Sequence, residues 1–264
     1  MVYRAIYAVV ERDIVKLFRQ KGRVLSALVR PLIWLFVIGA GFESLLVGND
    51  QNYVQFLVPG VVGMAILFGA LLGALSTVYE KESGVMRLLV IAPIKRRWVV
   101  FAKMAAATVS SFFQVVLLSI ILFMIGKLSL GINWPLFFLA VILLSITCSG
   151  IGMLVAVFSE TLDNFAAIMN FVIFPIFFLS GSLYPVDNLP GLLGIIAEIN
   201  PYTYGVDLLK HAILVPLGGK ADINIFTNIA VLVIFSIFSF IVCSWRFSNE
   251  EIAFKWFPQK IKRS

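Results

Sequence analysis

The sequence predicts an all-α membrane protein: six transmembrane helices preceded by an amphipathic helix that lies along the membrane surface. Three observations lead there. Of the 264 residues 61% are hydrophobic and only 13% charged, where a soluble domain carries about 25% charged residues. Six stretches without a charge at their centre are each long enough to cross the hydrocarbon core as helix, which takes roughly 20 residues. Eighteen of the 21 Lys and Arg residues fall in segments that these crossings place on one side. The composition excludes a disordered chain, a collagen-like fibre and a disulfide scaffold, since the 19 glycines have no three-residue period and there are two cysteines. Cys148 and Cys243 both lie in apolar runs, where a thiol behaves as a small hydrophobe, and neither is read as a ligand or half of a bridge.

Residues 3–23 read as the amphipathic helix. Ile6, Val10, Ile14, Leu17 and Phe18 share one face, while Arg12, Lys16, Arg19 and Arg23 follow at i, i+4, i+7 and i+11 on another. Such a helix is expected in the headgroup region with its cations turned to anionic lipid. More than twenty mixed residues precede the first full span, unlike a secretory leader, so no cleavage is expected. The spans follow at 25–42, 53–78, 104–125, 134–158, 164–184 and 225–245. Tyr53, Trp98, Trp134, Tyr184 and Trp245 stand at span ends, as interfacial aromatics do. A further apolar piece, 189–197, is too short to span and is expected to lie at the interface or dip in and return. The chain thus divides into an interfacial helix (1–23), a six-span domain (24–245) and a basic tail (246–264).

Orientation follows from the basic residues. Arg4, Arg12, Lys16, Arg19, Lys21, Arg23 and Arg30 lie at the first end; Lys81, Arg87, Lys95, Arg96, Arg97 and Lys103 lie between spans two and three; Arg246, Lys255, Lys260, Lys262 and Arg263 close the chain. Lys127, Lys210 and Lys220 lie opposite. Both termini are therefore expected in the cytoplasm. Span two carries Ala65, Gly69, Gly73 and Thr77, a small residue every fourth position, which predicts a close helix-packing face, against a neighbouring helix or a second subunit.

Several chemistries lack their residues. A phosphate-binding loop needs G-x-x-x-x-G-K-[ST], and neither Gly126-Lys127-Leu128 nor Gly219-Lys220-Ala221 supplies the hydroxyl that would hold magnesium. The single histidine, His211, is expected to be solvated outside the spans, so serine-protease and metal chemistry have no base or ligand set. No span carries an ionisable residue at its centre, which disfavours ion-coupled transport. Arg30 can snorkel to its near interface. Hydropathy alone leaves an ATP-independent channel or a membrane assembly factor open beside a driven transporter.

The most informative segment is 79–93, which joins Glu80 and Glu82, Gly84, the apolar run around Leu88 and Leu89, and Pro93, with Lys95, Arg96 and Arg97 beyond. It reads as a short cytoplasmic helix with apolar residues left over for another protein. Here the sequence resembles the permease family of ABC type-2 transporters, matching at Glu80, Glu82, Gly84, Leu88, Leu89, Pro93 and Lys103. The resemblance continues in Phe56-Leu57-Val58-Pro59-Gly60, in Phe178-Leu179-Ser180-Gly181-Ser182-Leu183-Tyr184-Pro185 with Leu189-Pro190, and in Asn200-Pro201-Tyr202-Thr203-Tyr204. Arg87 departs from it, standing where many members carry an acidic residue.

The resemblance implies the transmembrane subunit of an ATP-binding cassette exporter in a bacterial inner membrane, akin to permeases for drugs, lipo-oligosaccharides and polysaccharides. Two permeases would pair, as a homodimer, with two copies of a separate ATPase that holds ATP and Mg. This chain would bind no cofactor, metal or nucleic acid and catalyse nothing itself. Glu80, Glu82, Gly84, Leu88, Leu89 and Pro93 would be ATPase-coupling residues, and 189–197 an outer re-entrant cap. Asn164, Asn170, Phe174 and Ser180 in span five would give the substrate path an apolar wall with a few polar points, suited to an amphipathic or lipid-like cargo.

Overall fold

The computed structural model describes residues 2–19, 21–45, 53–86, 95–186 and 189–248. Among these every regular element is helical, and five helices are long and apolar enough to cross a membrane. Helix α1 covers Val2–Arg19. Helix α2, Lys21–Ile33, continues through a π turn at Trp34–Ile38 into α3, Gly39–Leu45. Lys21 and Arg23 therefore belong to the helix entering the first span, and not, as expected, to the amphipathic one. The central helix α4 spans Tyr53–Glu82.

Helix α5 covers Arg96–Met124, starting eight residues before the predicted span. A span read from hydropathy stops at Lys103, but the helix runs through it because Lys103 is paired, as described below. Helix α6, Trp134–Phe158, matches its prediction at both ends. Asn133 accepts a hydrogen bond from the Leu136 amide and Pro135 occupies the first turn, where a missing N–H costs nothing.

The fifth span differs from its prediction. Helix α7 (Leu162–Ile168), a π turn (Met169–Ile173) and α8 (Phe174–Phe178) form one 17-residue apolar rod, about 26 Å long at 1.5 Å per residue. It ends before residue 184 because Gly181 takes φ 73° and Ser180 Oγ bonds Phe177 O and Ser182 Oγ, which turns the chain. The 189–197 piece becomes α9, Leu192–Ile199, with Leu192, Ile195 and Ile199 exposed and Ala197 buried. Next comes α10, Pro201–Ile213, a buried helix the hydropathy pattern does not show. Asn200 caps it through the Tyr202 amide and also donates to Ile176 O at 2.7 Å. Helix α11, Ile225–Ser248, completes the bundle.

Helix α4 sits in the middle, touching α2, α5, α6 and α10. It is apolar all round and buried along most of its length, as a core helix must be. In lipid, apolar burial alone does not bring helices together, so close backbone approach and interhelical polar contacts carry the association. The small stripe of α4 supplies the first within this one chain. A Cβ on Gly69 would stand 2.7 Å from Gln114 Oε1 and Ser111 Cα, and one on Gly73 2.6 Å from Ala107 Cβ, all on α5. That face is thus committed to α5. Polar bridges supply the second: Thr108 Oγ1 to Ser149 Oγ joins α5 to α6, and Thr147 Oγ1 to Ser236 Oγ joins α6 to α11, each at 3.1 Å. The free thiols Cys148 and Cys243 are buried among them.

Gly73→Leu should therefore push α4 off α5 and destabilise the fold by about 1–3 kcal/mol, the usual cost of overpacking. Thermal aggregation of the purified protein reads this out; a melting curve equal to wild type would show that the α4–α5 contact is not tight.

Candidate functional site

Three consecutive residues end α4, and each reaches a different part of the bundle. Glu80 is 1% exposed. Its Oε1 accepts from Arg12 Nη2 and from Lys16 Nζ (2.9 Å), which stand one turn apart on α1. Its Oε2 lies 2.8 Å from Lys103 Nζ on α5, an ion pair in which the same ammonium also donates to Asp13 Oδ2 at 2.8 Å. Arg12 closes the circuit, with Nε and Nη2 3.3 and 3.2 Å from Asp13 Oδ1. Three cations and two carboxylates thus alternate around the end of α4. Burial works against the Arg12 charge, but Glu80 and then Asp13 more than offset it and hold the guanidinium above its ordinary pKa. This is a condition for burying charge at all: each ion needs a partner in good geometry.

Lys81 points elsewhere. Its Nζ donates to Ala156 O (3.2 Å) and Val157 O (2.9 Å), carbonyls in the last turn of α6 that have no partner within the helix. A cation there also meets the negative end of the helix dipole. Glu82 does the converse, its Oε2 accepting the Leu162 amide at 3.0 Å, at the first residue of α7. Helix α4 then stops: Gly84 adopts φ 75°, a left-handed conformation suited to glycine, and its amide bonds Lys81 O at 3.1 Å. One helix end therefore holds α1, α5, α6 and α7 together, at the end of the bundle where the basic residues gather.

Of the residues singled out from sequence, the structure brings Glu80, Glu82 and Gly84 to this end, with Glu80 and Glu82 engaged in separate contacts. Leu88, Leu89 and Pro93 lie outside the described residues. Arg12 and Lys16, expected to face lipid headgroups, pair with Glu80 in the structure and stay about a third exposed. Asp13 was missed altogether; its place on the Arg12 and Lys16 stretch of α1 was the available signal. In the fifth span Asn164, Asn170 and Phe174 are exposed, whereas Ser180 is buried against Ser182 in the turn beyond α8, apart from the other three.

A second charged cluster, which sequence reasoning also missed, lies on α10. Asp207, 2% exposed, accepts from the Asp222 and Ile223 amides (2.7 and 3.1 Å) and from Asn228 Nδ2 (2.8 Å). Lys210, equally buried, pairs with Asp222 at 2.7 Å and faces the Phe56 ring. His211 is not solvated as expected: it is part-buried, with Nε2 2.6 Å from Ile223 O and 3.6 Å from Asp207 Oδ2. These groups staple α10 to the start of α11.

Comparison with known proteins agrees with this architecture. The sequence model of the family described as ABC-2 type transporter matches residues 4–214. The chain is 27% identical to the ycf38 protein of Cyanophora paradoxa over 90% of its own length and 87% of that protein's. It is 24% identical to the inner membrane transport permease YadH of Escherichia coli K12, over 83% and 86% of the two lengths. It is 26% identical to nodulation protein J of Rhizobium leguminosarum bv. viciae, over 83% and 84%. With that match spanning most of the chain, and with a helical body carrying five membrane-crossing helices, the chain belongs to the ABC-2 type transporter family, as a transport permease that is not itself an enzyme.

Proposed function

We propose that the chain is the membrane half of an ATP-driven exporter in which two copies pair and each rests on one of two separate ATPase subunits. The ATPase meets the segment that follows Glu82, including Leu88, Leu89 and Pro93, together with α1. The observation that carries this reading is the end of α4. Any displacement of the segment beyond Gly84 pulls on residues 80–82, and these are tied to α1, α5, α6 and α7 at once. A push delivered there is shared by most of the bundle, which is what a transporter driven from outside its own chain requires.

In this arrangement α1 lies at the cytoplasmic interface and both termini are cytoplasmic. The rod from Leu162 to Phe178 is the sixth membrane-crossing element, and α9 with α10 forms the re-entrant cap of the outer end. Asn164, Asn170 and Phe174, all exposed, offer an amphipathic cargo an apolar surface with polar points.

Co-expression with an ABC ATPase subunit tests the reading. The ATPase should co-purify with the permease in equal number, and the pair Glu82→Lys with Leu88→Asp should abolish ATP-dependent transport. A chain that purified alone and moved substrate without any ATPase, or whose activity ignored ATP depletion, would be a channel or assembly factor instead.

A further inference from the structure

A cavity of about 140 Å³ opens between α2, α4 and the π turn at Met169–Ile173. Its lining is mostly apolar, with Ala27, Leu71, Leu75 and Met169 among the residues, and Ser26 and Arg30 are its polar members. The Arg30 guanidinium lies over the Phe68 ring, 4.1 Å from its centroid. Arg30 is exposed, and among the described residues no carboxylate pairs with it. That contrasts with Arg12, Lys16, Lys103 and Lys210, each of which has a carboxylate partner. Stacking on Phe68 covers one face of the guanidinium and leaves its N–H edge with no carboxylate among the described residues, and that planar fork suits a phosphate group.

We infer that this cavity is a binding site for an anionic phospholipid of the surrounding leaflet, with the lipid phosphate on Arg30 and the first methylenes of one acyl chain over Leu71, Leu75 and Met169. The depth agrees. Arg30 is the sixth residue of the first span, Leu25–Phe42, so it sits about 8 Å along that helix, within reach of the headgroup level. The size agrees as well: the cavity is close to the roughly 150 Å³ that takes one benzene in an apolar core, enough for a short stretch of chain. The inference uses the orientation proposed above only to say which leaflet supplies the lipid.

Native mass spectrometry of the full-length permease, purified with mixed phosphatidylglycerol and phosphatidylcholine, tests it without requiring any ATPase, so a failure of the exporter reading leaves this measurement standing. The wild-type chain should retain phosphatidylglycerol over phosphatidylcholine by about fivefold, the factor expected for one basic residue near the membrane surface. Arg30→Gln should remove the preference and Arg30→Lys keep part of it. Leu72→Trp, which fills the cavity without touching its charge, should lower retention of both lipids. Equal retention of the two lipids by wild type, an unchanged preference in Arg30→Gln, or displacement of the lipid by millimolar inorganic phosphate would each overturn the proposal.

Discussion

Replacing Glu80 with Ala should be the most damaging single change at the end of the bundle where the basic residues gather. It leaves Arg12, Lys16 and Lys103 facing one another with Asp13 as the remaining carboxylate, and Lys103 is itself 1% exposed at its side chain. Breaking a buried ion pair by removing one partner costs about 3–5 kcal/mol, and the lower end applies here because Asp13 still pairs with Lys103 and Arg12. The melting temperature of the purified protein should fall sharply. The charge exchange Glu80→Lys with Lys103→Glu should not recover the loss, since it restores one attraction but sets a lysine at 80 against Arg12 and Lys16 and a glutamate at 103 against Asp13. In the assembled transporter the milder Glu80→Gln should separate ATP hydrolysis from transport: hydrolysis persists, but α1 and α5 no longer move with α4. If Glu80→Ala melted with wild type, or if Glu80→Gln transported normally, the cluster would not be the joint described here.

Asp207→Ala should come second, at the opposite end. The carboxylate satisfies three N–H donors, two of them backbone amides in the turn before α11. Each buried donor left unpaired costs about 1–3 kcal/mol, so a loss on the order of 4 kcal/mol is expected. The same variant frees Asp222 from its anchored amide and so loosens its pair with Lys210. Asp207→Asn should lose less, because its amide oxygen still accepts while its NH₂ meets other donors. Proteolysis between α10 and α11 should accelerate in the Ala variant; unchanged cleavage and unchanged melting would show that the turn is held by other contacts.

The two clusters mark where the sequence could be read and where it could not. Helix α6 was legible end to end, since an uncharged, mostly apolar run between Asn133 and Ser159 leaves one solution. The acidic residues after span two stood out in the sequence, but the partners of Glu80 on α1 lie 64 and 68 positions away. Arg12 and Lys16 have the helical spacing of a lipid-facing cationic stripe, and that spacing is the same whether the counter-charge is a lipid phosphate or a buried glutamate. Helix α10 was hidden for a related reason. His211 reads as a solvated residue outside the spans and Lys210 as a charge on the opposite side, until the turn at 222–223 and Asn228 return to pair with this stretch.

Composition and the placement of its few charges by themselves determined that this is a multi-span helical membrane protein, that its basic residues collect at one end, and which family it resembles. Those properties follow from the cost of putting charge and unpaired backbone into hydrocarbon, a cost local to each segment. Only the tertiary structure decided that the small stripe of α4 is spent on α5, that the apolar rod beginning at Leu162 stops at Phe178, and that residues 80–82 fasten four helices. Those outcomes depend on pairings between residues far apart in the chain. A charge that is prohibitive alone becomes tolerable once a distant partner arrives, and no window of sequence contains both.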